Sequence, residues 1–580
     1  MNITIAKVTD YGSTRIIVLV LIVSSMFVTA WLSITGDLFF RFTNDGIGYI
    51  EEAGNFLEGR GLVRTPSGSA PLDQDYIREG IFPPGFSLLL AALGQLGVHV
   101  ETAAILIPVG AWILLPVIYI WTFSPLLPLR RVTVVAALFA FSPGIVLAGG
   151  DVLSDIPFLA LCLVAFGYIV RSFSSNFPLR YAFVAGAILG LSYWLRYAAT
   201  ALVMSFFIAL TTVAILRFEP RRAVLYRLLA MFGGCAPILA ALLIRNYTVF
   251  GTLQPYVSPT SPFFPSSLIA VSRGYFSDLL IDVSGFRIAG LLAWDIKLFL
   301  LIVVPLIIYV GWLIWRQAAS SSNSAASRVT ILVLCLYLCA GSTMVILTKV
   351  RYGAVDELRY VLQYSWIILT LLALTLIPRM SLQGRIGYYA VLLSIIVLML
   401  GRASFAWQLA DKEHRIQALS REYADWRSVA KHLPDPNWVL TNQIKIDLAR
   451  NADLTDAITR LPPQAYIISN MAGVLKEATK RPIRNLEADS PEEIARALAH
   501  LSDAVNAVHT ARPIYCVIAP TNRLVKIKGE RSWIDTLTDV LPADYVTVWR
   551  QDDILILHYQ PQITSAKAPG APSGTVSHDL

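Results

Sequence analysis

Charged residues, histidines and cysteines are all scarce in this 580-residue sequence, and each shortage excludes a class of protein. Charged residues make up 15% of the chain, whereas an ordinary soluble domain has about a quarter. Only His99 among the seven histidines precedes residue 405, which excludes a multi-histidine metal site from that part of the chain. The five cysteines fit neither a disulfide framework nor a zinc-binding spacing.

Long apolar runs dominate the sequence instead. Hydrophobic residues make up 56% of the chain and the mean hydropathy is +0.60. The runs predict about eleven membrane-spanning helices, so the expected fold class is a polytopic α-helical membrane protein with a C-terminal soluble α/β domain. The predicted spans are roughly residues 16–35, 103–123, 132–149, 156–170, 183–199, 200–216, 226–245, 298–315, 329–347, 361–378 and 386–404.

The net charge of +8 is explained by membrane topology rather than by a nucleic-acid partner. Basic residues concentrate in the short segments that face the cytoplasm if the N-terminus lies inside, as the positive-inside rule requires. An odd number of spans then places the C-terminal domain on the opposite side. We therefore expect a multi-pass protein among the lipids of a bacterial inner membrane, with a cytoplasmic N-terminus and a periplasmic or extracellular C-terminal domain.

The composition changes near residue 405, where the soluble domain is expected to begin. We expect a transmembrane domain over residues 1–404, an α/β domain over residues 405–562 and a disordered tail over residues 563–580.

The α/β domain is predicted to open with a charged helix through Leu433. Ala465–Ser469, Pro513–Ala519 and a hairpin over Tyr545–Tyr559 have the composition of strands. The segment Ser490-Pro491-Glu492-Glu493 predicts a helix start, with a serine cap and a proline at the first helical position.

Asp45, in the first long segment on the outer side, is a candidate for chemistry. Gly46 and Gly48 stand beside it, so a ligand can come close to the backbone. The alternative is a loop aspartate that caps the following helix. Tyr49–Leu57 is predicted to form a short amphipathic helix on the membrane surface.

Asp155 stands where the third predicted span ends and the fourth begins. Its carboxylate would face the positive end of a helix dipole. Capping of that helix, with Pro157 in the first turn, explains the residue without catalysis. Further upstream, Pro83-Pro84 predicts the start of a re-entrant or surface helix, because two prolines cannot both lie inside a helix.

Several cations lie at predicted outer ends of spans, where a charge in the hydrocarbon costs about 2–3 kcal/mol unless it snorkels or finds a partner. Together they suit an anionic ligand such as a lipid phosphate. Snorkelling explains each one equally well when it is taken alone. These cations are Arg196, Arg245, Lys349, Arg351 and Arg359.

In this order, the motifs resemble those of the GT-C superfamily of membrane glycosyltransferases, in particular the branch with the protein O-mannosyltransferases and the enzymes that add aminoarabinose to lipid A. The resemblance covers roughly residues 1–405 and rests on the order of the motifs and the topology together. The matching segments are Asn44-Asp45 with Gly48-Tyr49, Pro83-Pro84, Ser154-Asp155-Ile156-Pro157, Gly190-Leu191 through Arg196-Tyr197, Arg245-Asn246-Tyr247 with Phe250-Gly251, and Arg359-Tyr360.

The resemblance implies an inverting transfer of one sugar from a polyprenyl-phosphate-sugar donor to a lipid, glycan or protein acceptor on the outer face. It implies that Asp45 is the general base and Asp155 the second carboxylate of the site. The residues expected at the donor phosphate are Arg196, Arg245 and Arg359, with Arg78, Lys349 and Arg351 as further candidates. The residues expected near the acceptor or the sugar are Asn44, Tyr49, Glu79, Tyr197 and Tyr360.

The chain departs from the family pattern directly before the two prolines. Some relatives carry an acidic-basic pair there, whereas this chain has Ile81-Phe82, and Arg78 and Glu79 are the nearest substitutes. The Trp-Trp-Asp signature of the oligosaccharide-transferring members is absent, which argues against transfer of a whole glycan to asparagine. Carboxylate oxygens would suit a divalent metal, but the resemblance implies no obligatory metal or other cofactor.

Two other functions fit the same sequence. A transporter or flippase of a lipid-linked anionic substrate also needs many spans, although such proteins often show internal repeats and none is clear in this chain. A non-catalytic membrane scaffold would use the α/β domain to bind a partner. Replacement of Asp45 by asparagine separates an enzyme from a scaffold, because a scaffold should tolerate an isosteric change.

Overall fold

A computed structural model gives the fold of the chain, which divides into two compact units. One unit comprises Met1–Val63 and Arg78–Arg415, and the other Arg64–Ile77 and Ile416–Leu580. The described residues are 11–35, 44–65, 76–78, 80, 82–149, 151–174, 177–215, 219–255, 265–284, 312, 325–352, 361–375, 393, 395–408, 451–470, 475, 479, 483–486, 491–508, 513–518, 533–551 and 554–560.

The first unit is built from α-helices, most of them apolar along their whole length. Their order is α1 (Tyr11–Thr35), α2 (Asn44–Leu57), α3 (Gly85–Gln95), α4 (Val100–Phe123), α5 (Leu129–Ala140), α6 (Pro143–Ala148), α7 (Asp155–Ser172), α8 (Pro178–Leu195), α9 (Ala199–Ile215), α10 (Arg221–Phe250), α11 (Pro265–Ser284), α12 (Ala325–Tyr352), α13 (Leu362–Thr375) and α14 (Ile395–Gln408).

Five of these helices contain a segment long and apolar enough to cross a membrane. Four shorter helices, α3, α9, α13 and α14, are also apolar. The chain is therefore a multi-pass membrane protein, as the sequence predicted, while the number of eleven spans and their orientation stay predictions. The five segments are Ile16–Ser33, Val100–Phe123, Asp155–Ser172, Arg221–Phe250 and Ala326–Thr348.

The span predicted over residues 132–149 is interrupted. Helix α5 ends at Ala140, and α6 begins at Pro143 after a break at Phe141 and Ser142. Ser142 has an extended backbone, with φ −68° and ψ 146°, because the residue before a proline is displaced from the helical region. Two helices separated by this break therefore occupy the predicted span.

Helix α2 begins earlier than predicted, at Asn44 rather than Tyr49. It packs against α3 and α4, and Tyr49 and Ala53 are only 2% and 0% exposed. The predicted short helix is confirmed, and its position on the membrane surface stays a prediction. Helix α3 starts directly after Pro84, as the two prolines predicted.

Helices α8 and α10 pack closely and run parallel. A Cβ atom at Gly186 would overlap the carbonyl of Met231, and one at Gly234 would overlap the carbonyl of Phe183. Gly190, one turn after Gly186, lies against Ile238. Small residues permit this approach, as in other membrane helix pairs. The parallel arrangement brings the C-terminal ends of α8 and α10, where Arg196 and Arg245 lie, to the same side of the bundle.

The second unit contains a five-stranded sheet in the order β2-β1-β3-β5-β4. Strands β2, β1 and β3 are parallel, whereas β5 pairs antiparallel with β3 and with β4. Buried apolar residues form two clusters that share the sheet. The elements are α15 (Ala452–Thr459), β1 (Tyr466–Ser469), β2 (Ile483–Asn485), α16 (Pro491–Val508), β3 (Ile514–Ile518), α17 (Trp533–Val540), β4 (Tyr545–Gln551) and β5 (Ile554–Tyr559).

The predicted strands and the helix start at Pro491 are confirmed in this unit. Strand β2 was not predicted because a three-residue strand carries too little periodicity. The predicted charged helix through Leu433 falls largely, and the predicted tail over residues 563–580 wholly, outside the described residues.

Candidate active site

One face of α2 carries three polar side chains spaced by about one helical turn. Asp45, Tyr49 and Glu52 stand at positions i, i+4 and i+7 and therefore lie on the same side of the helix. Asp45 is half-buried in the first turn, where its charge suits the helix dipole. Tyr49 is 2% exposed and Glu52 7% exposed. This face is thus turned towards the protein interior.

Gly46 brings the start of α2 against the segment that precedes α7. A Cβ atom at this position would lie 2.5 Å from the carbonyl oxygen of Val152. The sequence had suggested that a ligand could approach the backbone at Gly46. In the structure, the backbone at Val152 fills this space instead. A second contact follows one turn later, where the hydroxyls of Tyr49 and Ser154 lie 3.3 Å apart.

Asp155 is fully buried and forms an ion pair with Arg196. The distance from Nη1 of Arg196 to Oδ2 of Asp155 is 2.5 Å, and the exposed fractions of the two side chains are 20% and 0%. Ser154 is the N-cap residue of α7 but its side chain makes no capping hydrogen bond, and Asp155 is the first helical residue. The carboxylate therefore binds the C-terminal end of α8 rather than capping its own helix.

The hydroxyl of Tyr49 lies among the charges of this cluster. Burial raises the pKa of Tyr49 well above its usual value, and the positive charge of Arg196 opposes that rise. The carboxylates of Asp45 and Asp155 both act on the same hydroxyl and reinforce the rise. Tyr49 is therefore a neutral hydrogen-bonding group whose hydrogen-bond partner is Ser154, the residue next to Asp155.

A second carboxylate, Glu52, lies one turn further along α2, on the side of Arg245. Glu52 accepts a hydrogen bond of 2.8 Å from the hydroxyl of Ser87 on α3. The negative charge of Glu52 acts favourably on the guanidinium of Arg245 on α10 and unfavourably on ionisation of the Tyr197 hydroxyl. The exposed Arg78 repels Arg245 because both are positively charged.

The side chain of Asn246 holds Arg245 and Tyr197 in place. Its amide nitrogen lies 3.3 Å from the hydroxyl of Tyr197 and 3.1 Å from the carbonyl oxygen of Leu253, and its oxygen accepts a hydrogen bond of 3.0 Å from Arg245. The loop containing Leu253 follows Gly251, whose φ of 71° ends α10 in a left-handed conformation. Arg245 and Tyr197 are therefore held by one fully buried amide.

The structure brings together part of the residue set expected from the sequence. Asp45, Tyr49, Asp155 and Arg196 form one cluster, and Tyr197, Arg245 and Arg78 adjoin it. Sequence reasoning missed the participation of Glu52, Ser87, Ser154 and Asn246, although the spacing of Glu52 from Asp45 was a usable signal. The side chains of Asn44, Lys349 and Arg351, and the whole of Glu79, Arg359 and Tyr360, lie outside the described residues.

The described residues contain no group of three or more His, Cys, Asp or Glu side chains that could hold a metal ion. Oδ2 of Asp155 already receives the guanidinium of Arg196. Arg196 therefore occupies one oxygen of this carboxylate, and the expectation that no metal is obligatory stays a prediction.

Two crystal structures of one protein are similar to the chain over nearly its whole length. ArnT from Cupriavidus metallidurans bound to undecaprenyl phosphate matches with a TM-score of 0.54 at 12% identity, over 93% of this chain and 97% of that chain. The same protein in the apo state matches with a TM-score of 0.53 at 12% identity, over 95% of this chain and 99% of that chain.

The Archaeoglobus fulgidus oligosaccharyltransferase with a tethered acceptor peptide gives a TM-score of 0.48 at 13% identity, over 86% of this chain and 68% of that chain. No protein-family model and no curated protein sequence matches the chain. ArnT belongs to the superfamily that the order of motifs indicated, and the chain therefore has the fold of the GT-C membrane glycosyltransferases.

Proposed function

We propose that this chain is an inverting glycosyltransferase that moves one sugar from a polyprenyl-phosphate-sugar donor to an acceptor on the outer face of the membrane. The observation that carries the proposal is the contrast between the two aspartates of one cluster. Asp155 is buried and bound by Arg196, whereas Asp45 is half-buried at the start of α2. Asp155 is thus enclosed by protein, whereas Asp45 is partly exposed, as a base that meets an acceptor hydroxyl has to be.

In the proposed reaction, Asp45 accepts the proton of an acceptor hydroxyl. The hydroxyl oxygen forms a bond to the anomeric carbon while the bond from that carbon to the phosphate oxygen breaks on the opposite face. The sugar is transferred with inversion, and polyprenyl phosphate leaves with the electron pair of the broken bond. A carboxylate that is ionised at neutral pH can serve, because the hydroxyl becomes more acidic as the new bond forms.

The arginines supply the electrostatic part of the proposal. Arg245 and Arg78 give positive charge near α2 and would offset the charge that develops on the leaving phosphate. Arg196 has a fifth of its side chain exposed while one of its nitrogens holds Asp155. Because it is partly exposed beside Asp155, it would serve both the structure and the donor.

Sugar transfer from a panel of radiolabelled polyprenyl-phosphate sugars tests the proposal directly. Membranes would carry wild type, Asp45→Asn or Glu58→Gln, and Glu58 serves as the control because it is an exposed acid of the same segment paired with Arg60. We expect wild type and Glu58→Gln to consume one donor alike, and Asp45→Asn to be about 10²–10⁴-fold slower. The anomeric configuration of the product, read by NMR, reports inversion.

Two outcomes would contradict the proposal. Equal rates for Asp45→Asn and wild type would show that Asp45 is not the base. No consumption of any donor by wild type, with crude acceptor extracts present, would favour transport of a lipid-linked anionic substrate instead. The proposal includes no obligatory metal, since Arg196 already balances Asp155, and chelation with EDTA is expected to leave turnover unchanged.

A further inference from the structure

Asn246, near the C-terminal end of α10, is a fully buried amide whose oxygen and nitrogen both form hydrogen bonds. The oxygen accepts a hydrogen bond of 3.0 Å from Nη1 of Arg245. The nitrogen donates to the hydroxyl of Tyr197 and to the carbonyl oxygen of Leu253. The end of α10, the loop that follows it and the segment between α8 and α9 therefore meet at one neutral side chain.

The partner of Arg245 differs in charge from the partner of Arg196. Arg196 is bound by the buried carboxylate of Asp155, which supplies an opposite charge at 2.5 Å. The hydrogen bond that the structure shows for Arg245 goes to a neutral amide, and its guanidinium lies 5.5 Å from the centre of the Phe250 ring. The charge of Glu52 also acts on Arg245. The amide thus orients this guanidinium without adding a further negative charge.

A guanidinium that is already held has an advantage in binding a phosphate. Arginine recognises phosphate through a planar set of donors, so the direction in which the group points matters. A free arginine side chain loses rotamer freedom when it binds an anion, whereas a side chain fixed beforehand loses less. A carboxylate at position 246 would hold the group equally well, but its charge would compete with that of the phosphate.

We propose that Asn246 is a positioning residue, which holds Arg245 in place for the phosphate of the polyprenyl-phosphate donor without neutralising the guanidinium. This inference rests on the proposed function, because it requires the donor phosphate to lie at Arg245. It assigns a role in donor binding to a buried amide that acts through its neighbour.

Binding of undecaprenyl phosphate to the purified full-length protein in detergent tests the inference. Asn246→Asp keeps the shape of the side chain but adds a negative charge beside Arg245. We expect this variant to bind the phosphate about tenfold more weakly than wild type. Asn246→Ala removes the contact and adds no charge, so it should bind about threefold more weakly.

The same substitutions in an Arg245→Met background separate positioning from support of the fold. If Asn246 acts through Arg245, neither substitution lowers the affinity further once the guanidinium is absent. Equal losses in the two backgrounds would mean that Asn246 only supports the fold, and the inference would be wrong. Wild-type affinity in Asn246→Asp and Asn246→Ala would also contradict it. Should Asn246→Asp fail to fold, Asn246→Ala in both backgrounds gives the same decision.

Asn55 on α2 offers a matched control. Its amide also accepts a hydrogen bond from an arginine, Nη1 of Arg60 at 2.8 Å, and donates to a backbone carbonyl, that of Val63. Asn55 is 6% exposed, so Asn55→Asp adds a buried charge beside a different guanidinium. We expect this variant to bind undecaprenyl phosphate as wild type does. A loss equal to that of Asn246→Asp would mean that any buried charge weakens binding, which would contradict the inference.

The results for wild type and Arg245→Met separate this inference from the proposed function. If wild type neither binds undecaprenyl phosphate nor transfers a sugar, the proposed function and this inference are both wrong. If wild type does both and Arg245→Met binds the phosphate as tightly as wild type, the phosphate does not lie at Arg245 and this inference alone is wrong.

Discussion

At the residue scale, the three acids of the site have different surroundings, and the surroundings limit what each carboxylate does. Asp155 is fully buried against Arg196, Glu52 is buried against Ser87, and Asp45 is half-buried in a first helical turn. Protonation of a buried, paired carboxylate leaves its arginine uncompensated, which is costly. Of the three, Asp45 is the most exposed, and it is therefore the carboxylate that an acceptor can reach best.

The pair Asp155 and Arg196 gives a prediction at this scale. Asp155→Ala removes the buried partner of a guanidinium, and breaking such a pair costs about 3–5 kcal/mol. We expect a clear fall in the melting temperature of the purified protein, measured in detergent, together with loss of sugar transfer.

The double variant Asp155→Leu with Arg196→Met checks the physical reason. It replaces both charges with apolar groups and should recover much of the melting temperature without recovering transfer. A double variant as unstable as Asp155→Ala would mean that packing around α7, and not the unpaired charge, causes the loss.

At the element scale, the start of α2 is held against the segment before α7 by a glycine. The contact of Gly46 with Val152 leaves no space for a side chain. Gly54, two turns later on the same helix, has no atom within 4 Å of where a Cβ would stand. The two glycines therefore form a matched pair, one at a close approach and one in open space.

Alanine substitution at these glycines should separate the steric effect of an added Cβ atom from the effect of helix propensity. Gly46→Ala must push α2 away from Val152 and is expected to lower transfer at least about tenfold, because a displacement of about 1 Å in a catalytic group costs up to about 10²-fold. Gly54→Ala should keep full activity and gain up to about 1 kcal/mol from the higher helix propensity of alanine. Equal activities in the two variants would contradict the role given to the Gly46 contact.

At the scale of the helical unit, a buried aspartate joins helices that are distant in sequence. Asp282, near the end of α11, accepts a hydrogen bond of 2.5 Å from the backbone nitrogen of Gly144 on α6. Ser365 on α13 and Arg402 on α14 also act on its carboxylate. Arg402 in turn donates a hydrogen bond of 2.7 Å to the carbonyl oxygen of Val283 at the end of α11. Four helices thus meet at one charge cluster.

Loss of this cluster is expected to lower the stability of the whole helical unit. Asp282→Ala leaves the buried backbone nitrogen of Gly144 without its acceptor and removes a negative charge that acts on Arg402, which is 3% exposed, and we expect a loss of about 1–3 kcal/mol. Thermal unfolding of the purified protein in detergent measures the effect. Asp282→Asn should be milder because it keeps an acceptor for Gly144, and identical melting temperatures for wild type and Asp282→Ala would contradict the role of the cluster.

Several features of the molecule followed from the sequence without the tertiary structure. Long apolar runs predicted the helical membrane unit, short runs of strand-like composition predicted the strands at Tyr466 and Ile514, and paired prolines predicted the start of α3. Asp45, Asp155 and the arginines were selected by their place beside apolar runs, because a charge next to hydrocarbon needs a reason to be there. The order of these motifs also indicated the fold that the comparison with ArnT supports.

The tertiary structure alone decided which distant residues contact each other. The spacing of Glu52 from Asp45 indicates a shared helix face, but only the packing of α2 on α3 and α4 turns that face inward and leaves Glu58 exposed. In the same way, the parallel contact of α8 with α10 places Arg196 and Arg245 on one side, where Arg196 binds Asp155. Local sequence fixes helices and their ends through short-range sterics and hydropathy, whereas the charge that a buried acid meets depends on which helix packs across from it.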